Sequence, residues 1–123
     1  MTVHRRKFDA DALRRELDAQ RDAFRDTARG QMDTLEAAFV ILQEDVTKRA
    51  DEEHLFKLHR HAHKLAGRGG TFGFPQVSET ARALEIEMDR ILRAGEPLNA
   101  GDIACIGAMM AEIGTAVDGM AAA

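Results

Sequence analysis

Residues 55–75 read LFKLHRHAHKLAGRGGTFGFP, and this stretch decides the fold class. Its apolar or small residues recur every three or four positions, at Leu55, Leu58, Ala62, Leu65, Gly69 and Phe72. This spacing is typical of an α-helix that buries one face. Gly73 and Pro75 then indicate the end of this helix and the start of another, because glycine is favoured just past a helix and proline in a first turn.

Three other segments show the same spacing. Their apolar positions are Phe24, Ala28, Met32, Leu35, Phe39, Leu42 and Val46; Val77, Ala81, Leu84, Met88 and Ile91; and Ile103, Ile106, Met110, Ile113, Val117 and Met120. Short connections between such segments place consecutive helices antiparallel. The sequence therefore predicts an all-α protein, an antiparallel up-down four-helix bundle with an additional N-terminal helical segment that contains Leu13 and Leu17.

The 123 residues fit a single domain, 1–123. We expect a bundle core at about residues 22–120, a leading helix at 1–21 and a frayed tail at 121–123. The net charge of −4 argues against a nucleic-acid partner. No segment resembles a run of about 20 apolar residues or a secretory signal, so we expect a cytoplasmic monomer with no membrane partner. Cys105, in an apolar stretch, is expected to be a small core residue.

His63 is the candidate functional residue, because it projects about 130° from the centre of the buried face of its helix and should meet solvent. Glycine weakens a helix interior, yet two glycines follow His63 on its own face. This bare surface suggests a histidine that another protein reaches. The expected partner-binding residues around it are Phe56, His59, Arg60, Ala66, Gly67 and Gly70.

Two further features surround His63 in the expected bundle. A basic flank of Lys57, Arg60, Lys64 and Arg68 favours an acidic partner surface, although a plain solvated helix face has the same pattern. Glu85, at the edge of the next helix's apolar stripe, is suited to hold one ring nitrogen of His63. The other nitrogen of a neutral imidazole then keeps a lone pair for attack on an electrophile. A solvated surface glutamate is the alternative for Glu85.

Residues 62–75, AHKLAGRGGTFGFP, resemble the signature of histidine-containing phosphotransfer (HPt) domains. The likeness is greatest to the phosphotransfer domain of chemotaxis histidine kinases, chiefly in residues 71–74. It implies a four-helix bundle that accepts a phosphoryl group from a receiver-domain aspartate or a histidine kinase and passes it to a response-regulator aspartate. It also implies partners of two kinds, a receiver domain and a sensor or hybrid histidine kinase.

The resemblance assigns roles to individual residues. His63 matches the phosphorylated position, Leu65 the hydrophobic residue two positions later and Gly67 the glycine four positions later. Glu85 resembles a position that hydrogen-bonds the imidazole. The family often has lysine three positions after the histidine, where this chain has Ala66, and Lys64 and Arg68 are the nearest substitutes.

The resemblance implies a phosphocarrier that is not an enzyme in its own right. It needs no cofactor of its own, since Mg²⁺ is expected in the partner receiver domain. The alternative is an interaction module that docks a receiver or kinase domain without carrying phosphate. A metal site at His59, His61 and His63 is disfavoured, because His61 and His63 point about 160° apart on a helix and two ligands are too few for zinc.

Overall fold

The computed structural model describes residues 9–44 and 52–120. Four helices account for nearly all of them: α1 (Ala10–Glu44), α2 (Glu52–Thr71), α3 (Pro75–Ala94) and α4 (Ala100–Met120). Residues 1–8 of the expected leading helix, the expected connection at 45–51 with Val46, and the tail at 121–123 lie outside the described residues.

The four helices form a ring in which α2 contacts α1 and α3, and α4 contacts α3 and α1. Cross-helix contacts fix the directions. Gly69 and His63 of α2 contact Ser78 and Glu85 of α3 respectively, so these two helices are antiparallel. Arg29 of α1 reaches Asp118 of α4, and Phe39, ten residues later on α1, lies against Gly107, so that pair is antiparallel as well. The predicted all-α four-helix bundle is confirmed.

The core lies along the axis of this ring and is built from the predicted apolar stripes. Its fully buried large side chains are Leu35, Leu55, Leu58, Leu65, Val77, Leu84, Met88, Ile106 and Ile113. Each removes apolar surface from water, and fully burying such a side chain contributes about 1.5–3 kcal/mol relative to leaving it exposed. The packed interior holds α2 and α3 in a fixed register, and this register positions the candidate site.

Local signals end the helices as the sequence predicts. Gly73 has φ of 79° and Gly95 has φ of 64°, both in the left-handed region that favours glycine. Pro75 opens α3. At the start of α4 the Asn99 side chain accepts a hydrogen bond from the Asp102 backbone N–H at 2.8 Å, and the Asp102 carboxylate accepts one from the Asn99 N–H at 3.2 Å. This reciprocal cap satisfies two backbone donors.

The N-terminal helical segment is the first part of α1. Helix α1 runs through Gly30 without interruption for 35 residues and begins at a cap formed by Asp9, whose carboxylate accepts from the Ala12 N–H at 3.0 Å. Its first buried side chain is Phe24, and Leu13 and Leu17 before it are exposed. The helix therefore extends beyond the bundle core at this end.

Helix α4 corrects two expectations. By length and composition alone it is apolar enough to cross a membrane, contrary to the expectation that no segment is. The core helix of a soluble bundle meets the same criteria, and Ile106, Met110 and Ile113 of α4 are buried in the core. Cys105 is exposed rather than buried, because it precedes Ile106 by one residue and so points about 100° away from that stripe.

Candidate functional site

His63 lies on the outer face of α2, and its side chain is 69% exposed. The buried residues Ala62 and Leu65 flank it in sequence and anchor this part of the helix in the core. The backbone under the imidazole is thus fixed by packing while the ring itself stands in solvent. A rigid element that presents an open side chain is well suited to a site that a partner must reach.

Glu85 of α3 contacts the imidazole. The Nδ1 atom of His63 donates a hydrogen bond to Oε2 of Glu85, whose side chain is only 15% exposed. The contact joins residues that are 22 positions apart, and it depends on the antiparallel register of α2 and α3. Glu85 therefore lies where the sequence placed it, against the ring of His63.

The hydrogen bond selects the tautomer of the ring. A carboxylate only accepts, so the proton of a neutral imidazole stays on Nδ1 and the lone pair lies on Nε2. Since the ring is largely exposed, Nε2 is the nitrogen available to an electrophile from solution. The arrangement can perform nucleophilic attack and then stabilise the positive charge that the ring acquires.

Arg82 lies one turn before Glu85 on α3. Its Nη1 atom is 4.0 Å from Oε1 of Glu85, the oxygen that His63 does not use. One carboxylate thus lies between an imidazole and a guanidinium. Arg82 is 58% exposed, so the cation is accessible from the same side of the molecule as His63.

The three glycines that follow His63 have different surroundings. A Cβ on Gly67 would meet nothing within 4 Å, and one on Gly70 would meet only Ser78 Oγ at 3.4 Å. A Cβ on Gly69 would lie 3.0 Å from the backbone N of Ser78, closer than an ordinary van der Waals contact. Gly69 therefore permits close packing of α2 on α3, whereas Gly67 and Gly70 leave the surface beyond His63 low and open.

The expected partner-binding residues are mostly at the surface. Phe56 is 56% exposed, His59 is half-buried, and Arg60, Gly67 and Gly70 are exposed.

Ala66 is the exception, since it is 1% exposed and belongs to the core. Placing it on the open face was wrong, because α2 packs against two neighbouring helices and its buried sector is wider than one apolar stripe. Ser78 of α3 closes over this position and donates a hydrogen bond to the Ala66 carbonyl at 2.7 Å.

The two basic residues suggested as substitutes for a lysine lie in different places. Lys64 is exposed next to His63. Arg68 lines a surface groove together with Gln20 and Thr27 of α1, on the side of α2 away from Glu85. Of the two, only Lys64 is adjacent to the histidine.

His61 faces α1 rather than the open surface. Its Nδ1 lies 3.1 Å from Oε1 of Gln31, so it does not share a face with His63. Burial lowers the pKa of His61 below its usual value, and the positive charges of Arg60, Lys64 and Lys57 lower it further. Among residues 9–44 and 52–120, no three His, Cys, Asp or Glu side chains are grouped as metal ligands.

Sequence reasoning missed two residues beside the site. Arg82 is three positions before Glu85, a spacing that places two residues on one helix face and would have indicated it. Ile86, next to Glu85, is 63% exposed and lies off the apolar stripe of α3. With Phe56 it adds a second exposed apolar side chain to the surface formed by α2 and α3.

Comparison with known proteins gives one match. The family model described as Hpt domain matches residues 19–116, a region that contains His63, Glu85 and core residues of all four helices. A search of curated proteins and a search of solved structures each gave no match. Hpt domains serve histidine phosphotransfer in two-component phosphorelays, where they interact with receiver domains and histidine kinases as phosphocarriers rather than as classical enzymes. Because the match covers most of the chain, this protein belongs to the Hpt domain family.

Proposed function

We propose that this protein is a phosphocarrier that takes a phosphoryl group onto Nε2 of His63 from a receiver-domain aspartate or a histidine kinase and passes it to a response-regulator aspartate. One observation carries the proposal: His63 is exposed while its Nδ1 is held by the half-buried carboxylate of Glu85. This geometry supplies a nucleophilic nitrogen with a fixed orientation. The likeness of residues 71–74 to chemotaxis kinases suggests that subgroup.

The transfer step balances without a proton leaving the ring. The Nε2 lone pair attacks phosphorus, the bond between phosphorus and the aspartate oxygen breaks, and the aspartate leaves as a carboxylate. The Nδ1 proton stays in its hydrogen bond to Glu85, whose negative charge stabilises the cationic phosphoimidazole. Mg²⁺ held by the partner receiver domain would neutralise charge on the phosphoryl oxygens during in-line transfer.

The surface around His63 would admit the partner. Gly67 and Gly70 allow a close approach, Phe56 offers an exposed apolar contact, and His59 and Arg60 border it. Lys57, Arg60, Lys64 and Arg68 form a basic flank in a chain of net charge −4, and this flank would steer an acidic receiver. In this proposal the protein acts as a cytoplasmic monomer, alongside its soluble receiver partners.

The deciding experiment is incubation with receiver domains that carry a radiolabelled phosphoryl group on aspartate. We expect label to move to this protein in a form that is labile in acid and stable in base, as expected for phosphohistidine. His63→Gln should take no label, whereas His61→Gln, changed on the side of α2 that faces α1, should still accept it. Label retained by His63→Gln would exclude His63 as the carrier.

The same experiment distinguishes the alternative function. A module that only docks a receiver or kinase would bind the receiver in a pull-down and never acquire label. The alternative is supported by Ala66, which occupies a position where the family often has lysine.

A further inference from the structure

Phosphorylation of His63 would create a local excess of negative charge. A phosphoryl group carries about two negative charges at neutral pH. It would be attached to a ring whose other nitrogen already contacts the carboxylate of Glu85. A nearby cation would offset this repulsion.

Helix α2 offers no such cation in the turn after His63. Ala66 is buried, and Gly67 has no side chain. Lys64 follows His63 directly and so points about 100° around the helix from it. Arg68 lies toward α1, in the groove with Gln20 and Thr27.

Helix α3 places a cation there instead. Ser78, Arg82 and Glu85 recur at intervals of four and three, so they share one face of α3. Ser78 lies against Gly70 and Glu85 bonds His63, so this face runs along α2 from residue 70 back to residue 63. Arg82, between Ser78 and Glu85, therefore lies at the level of the turn that contains Ala66 and Gly67.

The guanidinium of Arg82 lies near the carboxylate that bonds His63, and its side chain is 58% exposed. Its Nη1 is 4.0 Å from Oε1 of Glu85, so the side chain already extends along α3 toward His63. The surface over Gly67 is open, since an added Cβ there would meet nothing within 4 Å. A guanidinium has five N–H donors in a planar fork, so it can keep the carboxylate contact and also donate to phosphoryl oxygens.

We propose that Arg82 is the cation that binds the phosphoryl group on His63, in place of the side chain that position 66 does not supply. The inference rests on the proposed function, since it concerns the same histidine. Arg82 would donate hydrogen bonds to the phosphoryl oxygens while the Nε2–phosphorus bond forms and the phosphorus–oxygen bond to the donor aspartate breaks. It would keep these hydrogen bonds once the phosphoryl group is on His63. No additional reactant is needed.

The test uses the full chain loaded chemically with phosphoramidate, with the His63 signal in the ³¹P spectrum assigned by its absence in His63→Gln. A pH titration of that signal gives the pKa of the phosphoryl group. Arg82→Ala should raise this pKa by about half a unit or more, because a cation near 4 Å favours the dianion. Arg82→Lys should restore part of the difference, and Arg29→Ala, which removes an exposed arginine paired with Asp118 between α1 and α4, should leave the pKa as in the wild type. A merely structural role for Arg82 would not produce this pattern.

Transfer kinetics give the second readout. With a labelled receiver as donor, Arg82→Ala should accept label about tenfold more slowly, and Arg29→Ala should accept it as the wild type does. Equal phosphoryl pKa values in wild type and Arg82→Ala, or equal changes in Arg82→Ala and Arg29→Ala, would overturn the assignment of Arg82. Failure of the wild type to take label from any receiver would instead overturn the proposed function, while the titration of the chemically loaded histidine would still report on Arg82.

Discussion

His63 and Glu85 share a hydrogen bond although their exposures are opposite, with 69% of the His63 side chain and 15% of the Glu85 side chain in contact with solvent. The half-buried acceptor is immobilised by its helix, whereas the exposed donor would otherwise rotate freely. The contact therefore orients the ring at little cost to its accessibility, and it makes Glu85 a positioning residue for the proposed transfer.

Replacing Glu85 should slow phosphoryl acceptance without unfolding the bundle. For Glu85→Ala we expect about a tenfold loss of rate, since a hydrogen bond to a charged group contributes about 1.5–3 kcal/mol and part of it is replaced by water. Glu85→Gln should lose less, because its amide oxygen still accepts from Nδ1. Transfer assays quenched at successive times measure the rate of phosphoryl acceptance, and thermal unfolding measures the stability of the bundle. An unchanged rate in Glu85→Ala would remove Glu85 from the mechanism.

Alanine at two neighbouring glycines should change stability in opposite directions. Gly67→Ala should raise the free energy of unfolding by about 0.5–1 kcal/mol, because alanine favours the helix and its Cβ meets open space. Gly69→Ala should lower it by about 1–3 kcal/mol, since its Cβ would lie only 3.0 Å from the backbone N of Ser78 and the backbone of α3 would have to shift.

Urea unfolding monitored by circular dichroism measures both free energies. Gly70→Ala is the matched control, because its Cβ would make an ordinary contact of 3.4 Å with Ser78 Oγ. Destabilisation of Gly67→Ala as large as that of Gly69→Ala would contradict the distinction between an open glycine and a packed one.

The helices and the exposed histidine could be predicted because both depend on periodicity along one chain segment. Residues at intervals of three and four share a face whatever their partners are, so the stripes and the outward direction of His63 follow from the sequence. The contact with Glu85 was predicted from one further assumption, a short turn and hence an antiparallel neighbour.

Ala66 and Arg82 could not be placed in the same way, because their surroundings depend on how α3 lies on α2. A helix that packs against two neighbours buries a wider sector of its surface than a single apolar stripe indicates. Ala66 lies outside the stripe but inside this wider sector. The three-residue spacing between Arg82 and Glu85 was visible in the sequence, but the approach of the guanidinium to Oε1 depends on side-chain conformation. The exposure of Cys105 could not be predicted either, since a small residue in an apolar helix can lie on its buried or its exposed face.

The stability of the bundle should fall in mildly acidic solution through His61. Its pKa is lowered in the folded protein, chiefly by burial and then by Arg60, Lys64 and Lys57, whereas in the unfolded chain it is near 6.5. Below pH 6.5 the unfolded chain therefore binds the proton more readily, and the free energy of unfolding decreases until the folded form is protonated as well.

His61→Gln removes this titration while a side-chain amide can still bond Gln31. We expect the decrease in unfolding free energy between pH 7 and pH 5 to be smaller in His61→Gln than in the wild type. Denaturant titrations at several pH values provide the measurement. Identical pH profiles for the two proteins would show that His61 does not contribute.

Phe56 should contribute to partner binding and not to folding. Its ring is 56% exposed and lies about two turns before His63 on α2, so its removal leaves the core intact. Phe56→Ala should weaken binding of a receiver domain by about tenfold, as burial of a partly exposed aromatic ring at an interface contributes on the order of 1–2 kcal/mol.

Because this chain has no Trp or Tyr, tryptophan fluorescence of the receiver can report the titration without interference. Leu13→Ala is the control, since Leu13 is an exposed apolar residue on the extended part of α1, far from His63 in the fold. Equal weakening by Leu13→Ala, or full affinity in Phe56→Ala, would place the docking surface elsewhere.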